Sequence, residues 1–187
     1  MPQRFHVDGQ RDGHAGFSLA VRVFHWLTVL MLAGSFALVW SIGWLPAGAE
    51  RAQAVGMHRT IGLLVLFVTV LRVLWRLSHR SLPGTGTSRW RWAARGVHAA
   101  LLASLLIVPL LGWAYTNARG RPLLLLGMRL PSLIFKDQYF SRVAIAAHEF
   151  LAYALLALIG AHVAAALWHH VVLRDATLKR MWRSKVR

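Results

Sequence analysis

Four apolar stretches make up most of this chain and leave it little choice but a lipid bilayer: about Val21–Trp44, Ile61–Trp75, Val97–Tyr115 and Val143–Leu173. A helix needs ~20 mostly apolar residues to cross a membrane. The second stretch is short unless its helix begins near Val55, and the last is long enough to run past the bilayer at one end. Composition belongs with this pattern, because 57% hydrophobic and 15% charged residues are too apolar a mixture for a soluble domain of 187 residues. The expected fold is an all-α integral membrane protein with four spanning helices.

Residues 1–17 are polar, with Arg4, Asp8, Arg11 and Asp12 and no apolar run, so a secretory leader is not expected and the first stretch reads as a retained span. The chain divides into a polar amino-terminal tail, 1–17, a four-helix domain, 18–175, and a basic carboxy-terminal tail, 176–187. Ser81–Ser88 (SLPGTGTS) has the turn-forming composition of a connector between the second and third spans. With the amino terminus inside, Arg51, Arg59, Arg119, Arg121, Arg129, Lys136 and Arg142 fall outside, and the other fifteen of the 22 Lys and Arg residues fall inside. The positive-inside rule therefore places both termini in the cytoplasm. Trp26, Trp44, Trp75, Trp92, Trp113 and Trp168 lie toward span ends, where interfacial aromatic anchors belong.

His148 and His162 stand fourteen positions apart in the last stretch. At 3.6 residues per turn this is nearly four turns, so both imidazoles leave one helix on much the same face, about 21 Å apart along its axis. Histidines at membrane depth are costly and are functional candidates by default. His25 and His58 lie near the starts of the first and second stretches. The orientation pairs them by depth: His25 with His162 in the inner half, His58 with His148 in the outer half. A lone buried histidine is more often a satisfied polar residue than a ligand, but four that pair by depth point to two metal centres, one above the other.

The absence of cysteine excludes disulfides, iron–sulfur clusters, thiolate zinc sites and haem attached through C-x-x-C-H. Haem b suits the residues that remain, since each iron takes two axial imidazoles and the macrocycle supplies the other four nitrogens. Gly34, Gly56, Gly62, Gly112 and Gly160, with Ala161 and Ala164–Ala166, would give a porphyrin room between helices. Small residues gather equally at ordinary membrane helix contacts, so they decide nothing alone.

The formal net charge of +16 is mostly inner-surface cation, explained by topology and by contact with anionic membrane lipid, which argues against a nucleic-acid partner. The outer connection between spans three and four differs. There Arg119, Arg121, Arg129, Lys136 and Arg142 stand against Asp137 alone, where topology favours few cations. Such a field would attract a small anion, although scattered charge on an amphipathic loop gives the same composition.

Several segments together resemble the bacterial cytochrome b561 family: VRVFHWL (Val21–Leu27), VGMHRTIG (Val55–Gly62), RGVHAALL (Arg95–Leu102), YTNARGRPLLLLG (Tyr115–Gly127), AAHEFLAY (Ala146–Tyr153) and GAHVAAALWHH (Gly160–His170). The likeness covers nearly all of the chain beyond the polar amino terminus, where Met1–Gly16, with His6 and His14, departs from it. It implies a multi-pass protein of the bacterial inner membrane, an all-α four-helix transmembrane bundle with two b-type haems, one on His25 and His162 and the other on His58 and His148. It also implies exchange with the quinone pool, with ubiquinone as substrate, and in superoxide-oxidase members the oxidation of superoxide to oxygen at the outer face.

The remaining residues are compatible with that chemistry. Arg119, Arg121 and Arg129 would steer superoxide by long-range attraction. His169, Arg95 and His98, all expected on the cytoplasmic side near the inner haem, are candidates for binding and protonating a quinone. His169 and His170 also read as interfacial residues at a helix end, and His98 taken alone reads as an ordinary helix residue. Two other classes stay open: a haem-bearing membrane anchor that passes electrons between a soluble dehydrogenase or hydrogenase and quinone, and a histidine-lined metal transporter without haem.

Overall fold

A computed structural model describes residues 18–78, 89–125, 127–174 and 177–182. His6, His14 and the Ser81–Ser88 connector lie outside the described residues. Four long helices, α1 (Leu19–Ile42), α2 (Ala49–Ser78), α3 (Arg89–Ala118) and α4 (Gln138–Val171), are each long and apolar enough to cross a membrane. A two-stranded hairpin, β1 (Leu124–Leu125) and β2 (Met128–Arg129), sits between α3 and α4, and a short helix α5 (Thr177–Trp182) follows α4.

The helices outrun the apolar stretches. Helix α2 begins at Ala49, well before Ile61, and its first turns carry Glu50, Arg51 and Gln53. Hydropathy registers only the part of a helix that faces hydrocarbon, whereas the helix itself continues through the headgroup region, where polar side chains are at home. Glu50 in the first turn also complements the helix dipole. His58 consequently sits well inside α2 rather than at its start. Helix α4 likewise begins at Gln138, where the Asp137 carboxylate accepts a hydrogen bond from Phe140 N at 2.9 Å and caps the helix.

Packing follows chain order: α1 lies along α2, α2 along α3 and α3 along α4. Among the described residues, α4 shows no comparably close backbone packing along α1 or α2. The bundle is closed across that wider seam by side chains. Val65, Leu105 and Leu155 form a buried apolar layer, joined by Met31, Leu32, Ile61, Leu101 and Ile159 from all four helices. Thr28, Thr69 and Thr116 are buried because each hydroxyl donates to the carbonyl four residues earlier in its own helix, on Phe24, Val65 and Gly112.

The connection from α3 to α4 is tied to the bundle by Asn117, which is 4% exposed. Its Oδ1 accepts from Leu133 N at 2.9 Å and its Nδ2 donates to Arg121 O at 3.4 Å. Gly120 ends the helix at φ +70°, a left-handed conformation that favours glycine, and a Cβ there would lie 3.2 Å from Lys136 Cδ. Asn117→Ala would strand Leu133 N. We expect a loss of about 1–3 kcal/mol in local stability, read as faster amide exchange and proteolysis between residues 119 and 137 with the helices still protected.

Candidate functional site

Each end of the bundle holds a histidine pair that reaches across the wide seam. At the hairpin end, His58 of α2 and His148 of α4 have ring centroids 6.2 Å apart at 88°. At the α5 end, His25 of α1 and His162 of α4 are 6.4 Å apart at 65°. The apolar layer of Val65, Leu105 and Leu155 lies between the two pairs. Two imidazoles that bind one metal ion from opposite sides, through bonds of about 2.0 Å, place their ring centroids about 6.2 Å apart, close to both separations.

The hairpin-end pair is oriented through its Nδ1 atoms. His58 Nδ1 lies 3.0 Å from Ser35 Oγ and 3.4 Å from Ser35 O. His148 Nδ1 lies 2.9 Å from Val108 O. Among the described residues no hydrogen bond engages Nε2 of either ring, which leaves that nitrogen as the donor to a metal. Gly112 permits the arrangement on α3, because a Cβ there would come within 3.3 Å of His148 Cε1 and Nδ1. A cavity opens beside the pair, lined by Ser35, Phe36, Gly62, Val65, Leu105 and Leu156, among others. An apolar cavity with two imidazoles on its wall has the donor set for a haem.

The α5-end pair has different surroundings. His98 of α3 sets its ring 5.4 Å from that of His162, edge to face. Trp26 lies 5.4 Å from His25 and 5.1 Å from Trp182. Helix α5 is held against α1 by main-chain acceptors: Arg22 Nη1 donates to Trp182 O and Trp26 Nε1 to Met181 O, each at 3.3 Å. Arg22 Nε, one turn before His25, is buried without a hydrogen-bond partner among the described residues. A donor left over at that place suits a carboxylate such as a haem propionate.

The other candidates fall as follows. His98 joins the α5-end pair and is no longer an ordinary helix residue. Arg95, one turn earlier on α3, stacks over Trp92 at 5.2 Å, and His169 is half-buried near the end of α4. Arg119, Arg121 and Arg129 are all exposed on the connection that carries the hairpin, and β1 contacts α2. Arg59, beside His58, lies within electrostatic reach of Arg121. Of the glycines expected to make room, Gly112 alone meets a close neighbour. Gly34 has only an ordinary contact with Ile61 Cδ1 at 3.9 Å, and a Cβ on Gly56, Gly62 or Gly160 would meet nothing within 4 Å. Ser35, Val108 and Asn117 were missed because a serine, a carbonyl and an asparagine in apolar helices carry no spacing signal. His98 stood among the quinone candidates, and its place beside His162 is what the bundle adds.

Fold and site together define a multi-pass membrane protein of the electron-transfer class. The chain belongs to the prokaryotic cytochrome b561 family, whose profile matches residues 16–184 and whose members bind haem b. It is 33% identical over 163 residues to "Cytochrome b561 homolog 2" of Escherichia coli strain K12, covering 84% of this chain and 86% of that protein. Identity to "Cytochrome b561 homolog 1" of the same organism is 30% over 170 residues, covering 88% and 96%. The Yersinia pestis protein named "Probable superoxide oxidase CybB" is 25% identical over 174 residues, covering 92% and 98%.

Proposed function

We propose that this protein oxidises superoxide at the outer face of the bacterial inner membrane and passes the electrons to ubiquinone, with two haems b held by its two histidine pairs. His25 and His162 ligate the inner haem and His58 and His148 the outer one, through imidazole nitrogen in each case. Haem b supplies a one-electron iron couple at each site. Two superoxide ions give up one electron each and leave as two oxygen molecules. The two electrons and two protons convert one ubiquinone to ubiquinol.

The observation that carries this reading is the pairing of histidines at both ends of one bundle, with a cationic connection over one end. The Yersinia relative's name supports superoxide as donor. Both termini are cytoplasmic in this reading, so the hairpin end faces outward. Arg119, Arg121 and Arg129 raise the local concentration of a small anion there. One-electron oxidation of superoxide requires no nucleophile or general base from the chain. On the inner side His98, His169 and Arg95 bind the quinone, and the two histidines can deliver protons to its oxygens near neutral pH.

The test is direct. The purified protein is expected to show reduced b-type absorption bands, to contain two haems per chain and to reduce a soluble ubiquinone analogue when superoxide is generated. Absence of haem would defeat the reading altogether. Haem reduction only by a co-purifying soluble dehydrogenase or hydrogenase would replace superoxide with a protein donor and make the chain a membrane anchor.

A further inference from the structure

We infer that Ser35 is a positioning residue that, with the Val108 carbonyl, sets the outer haem at a lower reduction potential than the inner one and so directs electrons inward. The inference rests on the ligand pairing proposed above. It comes from an asymmetry between the two ends of the bundle.

At the hairpin end both imidazoles are held at Nδ1, His58 by Ser35 Oγ at 3.0 Å and His148 by Val108 O at 2.9 Å. Ligation through Nε2 leaves the single ring proton on Nδ1, so each ring donates and the oxygen accepts. At the α5 end no hydrogen bond to either ring nitrogen of His25 or His162 is present among the described residues. The neighbours there are ring edges, His98 against His162 and Trp26 against His25.

An imidazole that donates from Nδ1 to an oxygen acquires imidazolate character, which makes Nε2 the stronger electron donor. A stronger donor stabilises ferric over ferrous iron and lowers the potential, hydrogen bonding around the ligands being one of the protein's means of tuning a haem. Both outer ligands have this push, and the inner ligands lack it. With haem held at both pairs, an electron at the outer site would lie uphill of the inner one, from which the apolar layer of Val65, Leu105 and Leu155 separates it.

Ser35 carries the adjustable part of the effect, because its hydroxyl is the closer of the two Ser35 oxygens and the only acceptor of the set that a substitution can delete. The Val108 carbonyl belongs to the backbone. Gly112 offers a second handle: a methyl group there would press on His148 Nδ1 and Cε1 from 3.3 Å and disturb the bond to Val108.

The experiment is a redox titration of the purified full chain followed at the haem absorption bands, which reads potential independently of turnover. His148→Ala first identifies the outer transition by removing it. We expect it to remove the lower-potential transition. Ser35→Ala should then shift that transition upward by about tenfold in the reduced-to-oxidised ratio, about 59 mV for a one-electron couple, and leave the other in place. Ser35→Thr, which keeps the hydroxyl, should restore the wild-type value, and Gly112→Ala should move the same transition as Ser35→Ala. If His148→Ala removed no haem, the ligand assignment itself would fall and this inference with it. Loss of the higher-potential transition in His148→Ala would overturn the asymmetry. With His148→Ala removing one transition as expected, an unshifted potential in Ser35→Ala would overturn the role of Ser35.

Discussion

His162→Ala is expected to yield a folded protein with about half the wild-type haem, because one imidazole of one pair is lost while the other pair keeps both of its ligands. The same loss is expected of His25→Ala, whose ring faces His162 at 6.4 Å. His148→Ala and His58→Ala should each remove the other haem, since those rings face one another at 6.2 Å. The measurement is haem per chain by pyridine haemochrome, together with the spectrum of what remains. Two spectra should result from four variants, grouped as His25 with His162 and His58 with His148. Grouping by helix instead, so that His148→Ala resembled His162→Ala, would refute the pairing, because both of those residues lie on α4. Loss of all haem from a single change in a chain that still inserts would refute it as well. The helices should survive these changes. The apolar layer between the pairs and the packing of α3 on α4 do not depend on the histidine rings.

Reversal of charge at Arg119, Arg121 and Arg129 to Glu should slow reduction of the protein by superoxide about tenfold or more at low ionic strength, since steering of an ion toward a site of opposite sign raises association rates by at least that factor. The salt dependence is the sharper readout. In the wild type, added salt should lower the rate by screening, and in the variant this dependence should vanish or change sign. An uncharged donor should react with both proteins alike. The three side chains are exposed and remote from the packed interior, so the fold should tolerate the change. Substitution of His169 should do the reverse, leaving reduction by superoxide intact and slowing reoxidation by quinone. An unchanged superoxide rate with unchanged salt dependence would remove the steering role and favour a protein donor.

Much of this could be read before any tertiary structure was known. Four apolar stretches led to four spanning helices, and depth pairing put His25 with His162 and His58 with His148, the partners whose ring centroids lie 6.4 and 6.2 Å apart in the bundle. Two things could not be read there. The helices extend beyond the apolar stretches where their first turns are polar, as in α2, whose start at Ala49 precedes its apolar stretch. Residues whose importance depends on a neighbour far away in the chain were passed over. Ser35 matters because His58 is beside it, Gly112 because His148 presses on it, and Asn117 because Leu133 N needs an acceptor.

The amino-acid sequence by itself determined the four spanning helices and where along each of them the histidines stand. Hydropathy and helical rise are properties of successive residues, and a bilayer converts position along a span into depth with little ambiguity. Tertiary structure alone decided the lateral arrangement: that α4 stands off from α1 and α2 while hugging α3, that the seam so formed is bridged by histidines, that His98 leans on His162, and that both rings of the hairpin-end pair are held at Nδ1. Distances between helices are set by which side chains interlock across them. That is a sum of contacts between residues tens of positions apart, and no local pattern in the chain encodes it.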